Sequence, residues 1–267
     1  ADACPVFAGR YVRGVKNGPA PAWMQQRLKA AGLRPISALV DMTNYVSLDR
    51  GRPLHVYDAD KLQGHIRARL GTAGELFEAL ENKTYVSDDE MCVIADDSGP
   101  LGFGGIIGGE SSGCTPETTN VLIECAYFDP SRPASTGRTA GIITAARYRF
   151  ERGVDPDFVV PGLDRATEWV LELCGGAPSK AKIAGAPPAG GTVISFDYGK
   201  VKRLTGVVIP VADGTRVRGA IGCEVTGKGP QGKVTTPPWR PDMHGAADLV
   251  EEVIRIYGLD NVPPVPM

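Results

Sequence analysis

Apolar and polar residues alternate at Tyr11-Val12-Arg13-Gly14-Val15, which reads as a strand closed by the turn signal Asn17-Gly18. Pro21 then opens a helix, with Met24, Leu28 and Ala31 recurring on one face and Gly32 supplying the stop. The run Leu39-Val40-Asp41-Met42-Thr43-Asn44-Tyr45 is strand-like. Further short strand-like runs follow at 66–70, 91–95, 104–107 and 120–123, separated by Gly, Asp and Ser. The clearest helix is Pro161 to Cys174. Leu163, Ala166, Val170 and Cys174 line one side of it, Pro161 lies near its start, and Gly175-Gly176 follow its end. No regular βαβ alternation emerges, so the pattern predicts a mixed α+β fold.

Periodicity breaks at Ala184–Gly191 (AGAPPAGG), whose prolines and glycines mark a linker between a unit at 1–189 and a second at 192–267. The second unit differs in charge. Between 192 and 237 lie seven Lys/Arg (200, 202, 203, 216, 218, 228, 233) against three Asp/Glu (197, 213, 224). That excess fits either an RNA-facing patch or a solvated basic face. The whole chain of 267 residues carries a formal charge of −2, so composition makes no global case for nucleic-acid binding. The six cysteines (4, 92, 114, 125, 174, 223) show no CxxC and no metal-finger spacing, which reads as reduced structural thiols in a cytoplasmic protein. No apolar run approaches the roughly 20 residues of a membrane span. The Ala-Asp-Ala start, without an initiator Met, reads as that of an excised or trimmed piece of a longer protein.

Few residues stand out chemically. His55 follows Pro53-Leu54, which argues for a loop or strand edge. Its imidazole fits either a pocket, where it would meet a hydroxyl or a water, or a partly buried structural position. Thr43 and Asn44 lie twelve and eleven residues upstream. On a strand their side chains would face opposite ways, so both could enter one pocket only if the strand ended or bulged there. The cluster Gly102, Gly104, Gly105, Gly108 and Gly109 lets a ligand approach backbone N–H groups, or makes a tight turn in a crowded sheet. No Lys-Ser/Thr follows it, so a P-loop is excluded. Glu124 is a lone carboxylate in the apolar run Val121–Ala126, where it either faces solvent or accepts from a buried hydroxyl. Asp242, Asp248, Glu251 and Glu252 fall within eleven residues. Asp248 and Glu251 fit a capping box, with Asp248 at the N-cap, and Glu251 with Arg255 fits an i,i+4 pair. The same four acids offer hard oxygen donors suited to Mg²⁺.

Several motifs in order carry a resemblance: Asn17-Gly18-Pro19; GLRPISALVDMTNYVSLDRGRPLHVYDADKLQG at 32–64; GFGGIIGGESSG at 102–113; Glu151-Arg152-Gly153-Val154-Asp155-Pro156; and PPWRPDMHGAADLVEEVIRIYGLD at 237–260. Together they resemble the β-subunit family of bacterial phenylalanyl-tRNA synthetases, from about Cys4 to the end of the chain. The resemblance implies a mixed-sheet tRNA-editing (B3/B4) domain over 1–189 and a small α+β B5 domain over 192–267. It implies hydrolysis of tyrosine wrongly attached to tRNA(Phe), in an α2β2 enzyme whose α subunit holds the ATP and aminoacylation sites. On that pattern His55 lines the editing pocket, Thr43 and Asn44 lie beside the scissile ester, and the backbone of Gly104 and Gly105 forms one wall. Glu124 meets the tyrosyl hydroxyl, and Thr144 and Ala146 lie near the ring. Editing is implied to need no cofactor, whereas Asp242, Asp248, Glu251 and Glu252 are implied to form a Mg²⁺ site completed by the α subunit.

The implied logic is physical. An apolar pocket cannot strongly reject an added hydroxyl, while a site built around a hydroxyl rejects the analogue lacking it by about 10⁴–10⁵. The chain departs from the family at Ile143, where an Arg is usual, and at Ala145, where an acid is usual. Those departures leave a second reading open, a noncatalytic tRNA-binding and assembly module with a relic pocket.

Overall fold

The computed structural model describes residues 2–79, 83–227 and 231–264, and the chain divides into two units, Ala1–Pro188 and Ala189–Met267. In the first, the strand Val6–Arg13 begins five residues before the alternation at Tyr11 and buries Val6, Ala8 and Val12. It pairs antiparallel with Asn120–Tyr127, which in turn pairs with His55–Asp58. Ala177–Pro178 and Lys182–Gly185 add to the outer edge of Val6–Arg13. One face of this sheet is dry. Val12, Val56, Val121, Ile123 and Cys125 pack there against Leu163, Ala166 and Val170 of the helix Val159–Cys174, and against Leu39, Met42 and Val46.

Those last residues correct the reading at 39–45. The segment is a helix, Ala38–Arg50, not a strand. Leu39, Met42 and Val46 recur at helical spacing and are buried, as are Ala38 and Asp41, while the β-branched Val40 and Thr43 are only half-buried. Thr43 turns its hydroxyl back to the Val40 carbonyl at 2.8 Å, and Gly51 ends the helix in the left-handed region. The helix opened by Pro21 is Ala22–Ala30, with Met24 and Leu28 buried and Ala31 exposed.

A second antiparallel sheet runs in the order Arg67–Leu70, Cys92–Asp96, Gly99–Phe103, Ile107–Gly108. The run expected as a strand at 104–107 is therefore mostly the turn between its last two strands. Glycines at 104 and 105 suit a reversal better than a pleat. The motif Glu151–Pro156 is tied to the first sheet through Arg52. Arg52, itself buried, donates to the carbonyls of Ala126 and Asp155, and the Asp155 carboxylate caps the short turn Pro156–Phe158 through the Asp157 N–H.

The second unit packs the helices Gly199–Thr205, Val211–Ala220 and Ala246–Tyr257 on an antiparallel sheet ordered Val193–Asp197, Gln231–Thr235, Glu224–Thr226. Phe196, Val234, Met243 and Leu249 centre its core. Arg218, counted in the basic excess, is wholly buried, with its guanidinium 3.9 Å from the Phe196 ring centre and 5.0 Å from that of Tyr198. It cannot belong to a solvated basic face. Lys228 of the same count lies outside the described residues.

Candidate active site

Strand register decides which side chains meet. Across the antiparallel pair, His55 stands opposite Glu124 and Tyr57 opposite Leu122. Partners and second neighbours share a face, so His55, Tyr57 and Glu124 project together from the side of the sheet away from the dry core. The Tyr57 hydroxyl donates to Glu124 Oε2 at 2.5 Å, and the His55 and Tyr57 rings meet edge-on with centroids 4.3 Å apart.

The glycine turn closes over these residues. Gly105 has φ +72°, and a β-carbon there would lie 2.9 Å from the Phe128 ring and 3.0 Å from that of Phe150. A β-carbon on Gly108 would lie 2.5 Å from His55 Cε1. The absent side chain of Gly108 is thus the space in which the imidazole sits, and that of Gly105 leaves room for the two phenyl rings. Thr144 ties this wall to the next element: its hydroxyl donates to the Ile106 carbonyl at 2.8 Å and accepts from the Arg147 N–H, capping the helix Ala145–Phe150. Ala146 and Phe150 of that helix complete a cavity lined also by His55, Tyr57, Gly105 and Glu124.

Burial sets the charges. Glu124 is only 6 % exposed, and among the described residues no Lys or Arg pairs with it. Loss of solvation pushes its carboxyl up to about 7, against a smaller downward pull from the Tyr57 hydrogen bond. Burial holds the imidazole of His55 down at about 4, so it is neutral at pH 7. The residue as a whole is only partly covered, but its Nε2 is shut from solvent and has no hydrogen-bond partner. Tyr57 is buried and its hydroxyl is held well above the usual phenol range by desolvation and by Glu124. The cavity wall therefore carries an imidazole whose covered Nε2 has no partner and a carboxylate with one oxygen free of hydrogen bonds, among apolar residues.

Of the residues singled out in the sequence, His55, Glu124, Gly102, Gly105, Gly108 and Ala146 line this cavity. Gly104 lies behind the wall, against Phe128, with its N–H on the Cys92 carbonyl at 2.8 Å. Thr43 and Asn44 lie on the helix Ala38–Arg50, are half-buried, and are not among the lining residues. The objection that they must face opposite ways falls with the strand reading. Ile143 and Ala145 are both exposed, Ile143 to 93 %, so the family departures sit outside the cavity rather than in its wall.

The B3/4 domain family matches residues 3–175, the unit that contains the cavity, and the tRNA synthetase B5 domain family matches 194–259. The chain belongs to the B3/4 domain family. It is also similar over its whole length to curated phenylalanine–tRNA ligase β subunits. That of Mesorhizobium japonicum is 53% identical over 266 residues, covering 100% of this chain and 33% of that protein. That of Rhodopseudomonas palustris is 52% identical over 263 residues, covering 98% and 33%. The chain thus spans about a third of the length of these relatives. Among solved structures, an N-terminal fragment of the phenylalanyl-tRNA synthetase β subunit from Pyrococcus horikoshii matches with a TM-score of 0.43 and 15% identity, covering 96% of this chain and 72% of that one.

Two residues of the B3/4 domain site escaped the sequence reading. Tyr57 is not among the residues singled out in the sequence, although its position two residues from His55 on a common face is a usable signal. Gly108 was noted only as part of a glycine-rich run, and its role appears only once His55 is seen against it.

The acids of the B5 domain behave otherwise. The helix starts at Ala246 with Gly245 as N-cap, so Asp248 is not the cap. It lies one turn in and reaches back to accept from the N–H groups of Gly245 (2.8 Å) and His244 (2.9 Å). The sequence offers Asp three residues after a glycine cap, and the unpaired N–H groups of the first turn claim it. Glu251 is exposed, and Arg255 pairs with Glu252 at 2.6 Å instead. Arg240 bridges Glu252 (2.9 Å) and Asp242 (2.6 Å). These hydrogen bonds from Arg240 hold the carboxyls of Asp242 and Glu252 below the usual range, and the two backbone N–H groups do the same for Asp248. Among the described residues no three His, Cys, Asp or Glu side chains converge as a metal-binding set. Three of the four acids are thus held by arginines or by backbone N–H groups of this chain.

All six cysteines are free, and no helix among the described residues is long and apolar enough to cross a membrane.

Proposed function

We propose that the cavity is an editing site that hydrolyses tyrosine from tyrosyl-tRNA(Phe), within a phenylalanine–tRNA ligase that also needs an α subunit for amino-acid activation. The observation that carries this reading is Glu124, a buried carboxylate that lines a cavity beside His55 and, among the described residues, has no cation, just as His55 Nε2 has no hydrogen-bond partner there. Tyr57 satisfies only Oε2, and the other carboxylate oxygen is destabilising unless a second donor hydrogen-bonds to it. The phenolic hydroxyl of a bound tyrosyl group does so, and phenylalanine cannot. The apolar walls from Phe103, Ile106 and Phe150 suit the ring, and Ala146 leaves room for it.

Water attacks the ester carbonyl carbon, the bond from that carbon to the ribose oxygen breaks, and the ribose oxygen takes up a proton. No Ser-His-Asp or Cys-His arrangement supplies a nucleophile in this reading, so the chain contributes position. The neutral imidazole of His55 orients the water or the amino acid, and amides of the glycine turn support the developing oxyanion. The assignment of Thr43 and Asn44 to the ester end rests on the family resemblance alone, as do the partners, tRNA(Phe) and the α subunit of an α2β2 assembly.

The test is deacylation of tyrosyl-tRNA(Phe) and phenylalanyl-tRNA(Phe) side by side by the assembled enzyme and its Glu124→Ala variant. Tyrosyl ester should be cleaved in preference, and the variant should lose that preference. Equal rates for the two esters in the parent overturn the editing reading and leave the noncatalytic module as the better account.

A further inference from the structure

Glu124 has two carboxylate oxygens, and they are not equivalent. Oε2 takes the Tyr57 hydroxyl, while Oε1 takes no hydrogen bond among the described residues and is not closed off from the cavity. Tyr57 is 3 % exposed, and its ring is wedged edge-on against His55, so its hydroxyl has little freedom to leave. The diagonal placement follows from register: Tyr57 pairs with Leu122 and leans toward Glu124, one step along the same face.

We propose that Tyr57 is a positioning residue for specificity: its hydroxyl pins Oε2 of Glu124 and turns Oε1 into the cavity, where it accepts the phenolic hydroxyl of the ligand. The inference rests on the reading of Glu124 as the acceptor for tyrosine and deepens it. An ionised carboxylate accepts from Tyr57 and from the ligand at once, whereas a protonated one has spent part of that capacity as a donor. The groups facing Glu124 are His55 and Tyr57 from the neighbouring strand, Cys92 from the second sheet and Cys4 from the start of the chain, while Cys125, next along its own strand, lies on the opposite face. All are neutral at pH 7, because burial pushes the thiols and the phenol up and the imidazole down. The Tyr57 hydroxyl is the hydrogen-bond donor that favours the Glu124 carboxylate.

The test uses the full chain with free L-tyrosine and L-phenylalanine, titrated calorimetrically between pH 5.5 and 9 for the parent, Tyr57→Phe and Glu124→Gln. Tyr57→Phe should lower the tyrosine-over-phenylalanine preference about tenfold, the typical worth of one hydrogen bond to a charged group. It should also move the pH of half-maximal preference upward, because the carboxylate has lost its stabilising donor. A purely structural role for Tyr57 would not move that pH. Glu124→Gln separates the two claims. If it abolishes the preference while Tyr57→Phe leaves both preference and midpoint unchanged, the Tyr57 proposal fails and the Glu124 reading stands. A Tyr57→Phe chain that binds tyrosine more tightly also overturns the proposal, since the hydroxyl would then be occupying the ligand's place. If Glu124→Gln keeps the preference, both fail. Should Tyr57→Phe not fold, 3-fluorotyrosine at position 57 keeps ring and hydroxyl and strengthens only the donor. The midpoint should then move down, and an unmoved midpoint overturns the proposal.

Discussion

Glu124 in the first unit and Glu252 in the second are both buried glutamates, 6 % exposed each, and their surroundings treat them in opposite ways. Glu252 is held between Arg240 and Arg255 and sits below the ordinary carboxylate range. Glu124 has one neutral donor and sits near 7. A satisfied carboxylate supports the fold but has little left to offer a ligand. An unsatisfied one weakens the fold and is available for binding. The contrast teaches that acid density is a poor guide to a site. Four acids within eleven residues look more like a site than one acid in a strand, yet three of the four are spent on arginines and on the first turn of a helix.

The largest expected effect tests whether the partnerless groups act on substrate. His55→Ala should slow tyrosyl-tRNA hydrolysis by about 10²–10³, the usual loss for one positioned hydrogen-bonding group. Accumulation of mischarged tRNA is the readout, and a variant that edits normally removes His55 from the mechanism.

Next is the sign of each glutamate's contribution to stability. The folded-state value of Glu124 is raised, so the folded chain binds more protons than the unfolded one between about 4.5 and 7, and stability falls as pH rises through that window. Glu124→Gln escapes this and should gain up to about 3 kcal/mol relative to the parent on going from pH 4 to pH 8. Urea unfolding at the two pH values checks it. His55 titrates with the opposite sign in part of this range, but comparison with the parent at each pH cancels its contribution.

Glu252→Gln should do the reverse. A depressed carboxylate stabilises above its unfolded value of 4.5 and loses that stabilisation as pH falls below it. Because Arg240 and Arg255 are partly solvated, the loss at pH 7 should be about 1–2 kcal/mol, shrinking toward acid pH. A Glu252→Gln chain as stable as the parent at pH 7 would dissolve the contrast between the two regions.

The smallest effect concerns the departures from the family pattern. Ile143→Arg with Ala145→Glu restores the usual charges at two exposed positions. Hydrolysis should change less than about twofold, as for surface substitutions away from a site. A large gain would mean that these positions govern activity from outside the cavity wall.

Much of this protein was legible in one dimension. The helices at Ala22–Ala30 and Val159–Cys174 announce themselves by apolar spacing, a proline near the start and glycines at the end. The strand around Glu124 does so by an apolar run, and the motifs were enough to indicate the family. Local signals of this kind act between residues close in the chain, so sequence carries them directly. The helix at Ala38–Arg50 was misread because its β-branched residues suggest a strand, whereas packing of Leu39, Met42 and Val46 on the central sheet overrode that preference. Which way Glu124 points, that Tyr57 shares it, that Gly108 makes space for His55, and that Arg240 claims Asp242 and Glu252 were settled only in the tertiary structure. Each depends on strand register or on a contact across space. The state of a buried carboxylate is set by whichever donors the fold brings within about 3 Å, and the spacing of letters does not contain that distance.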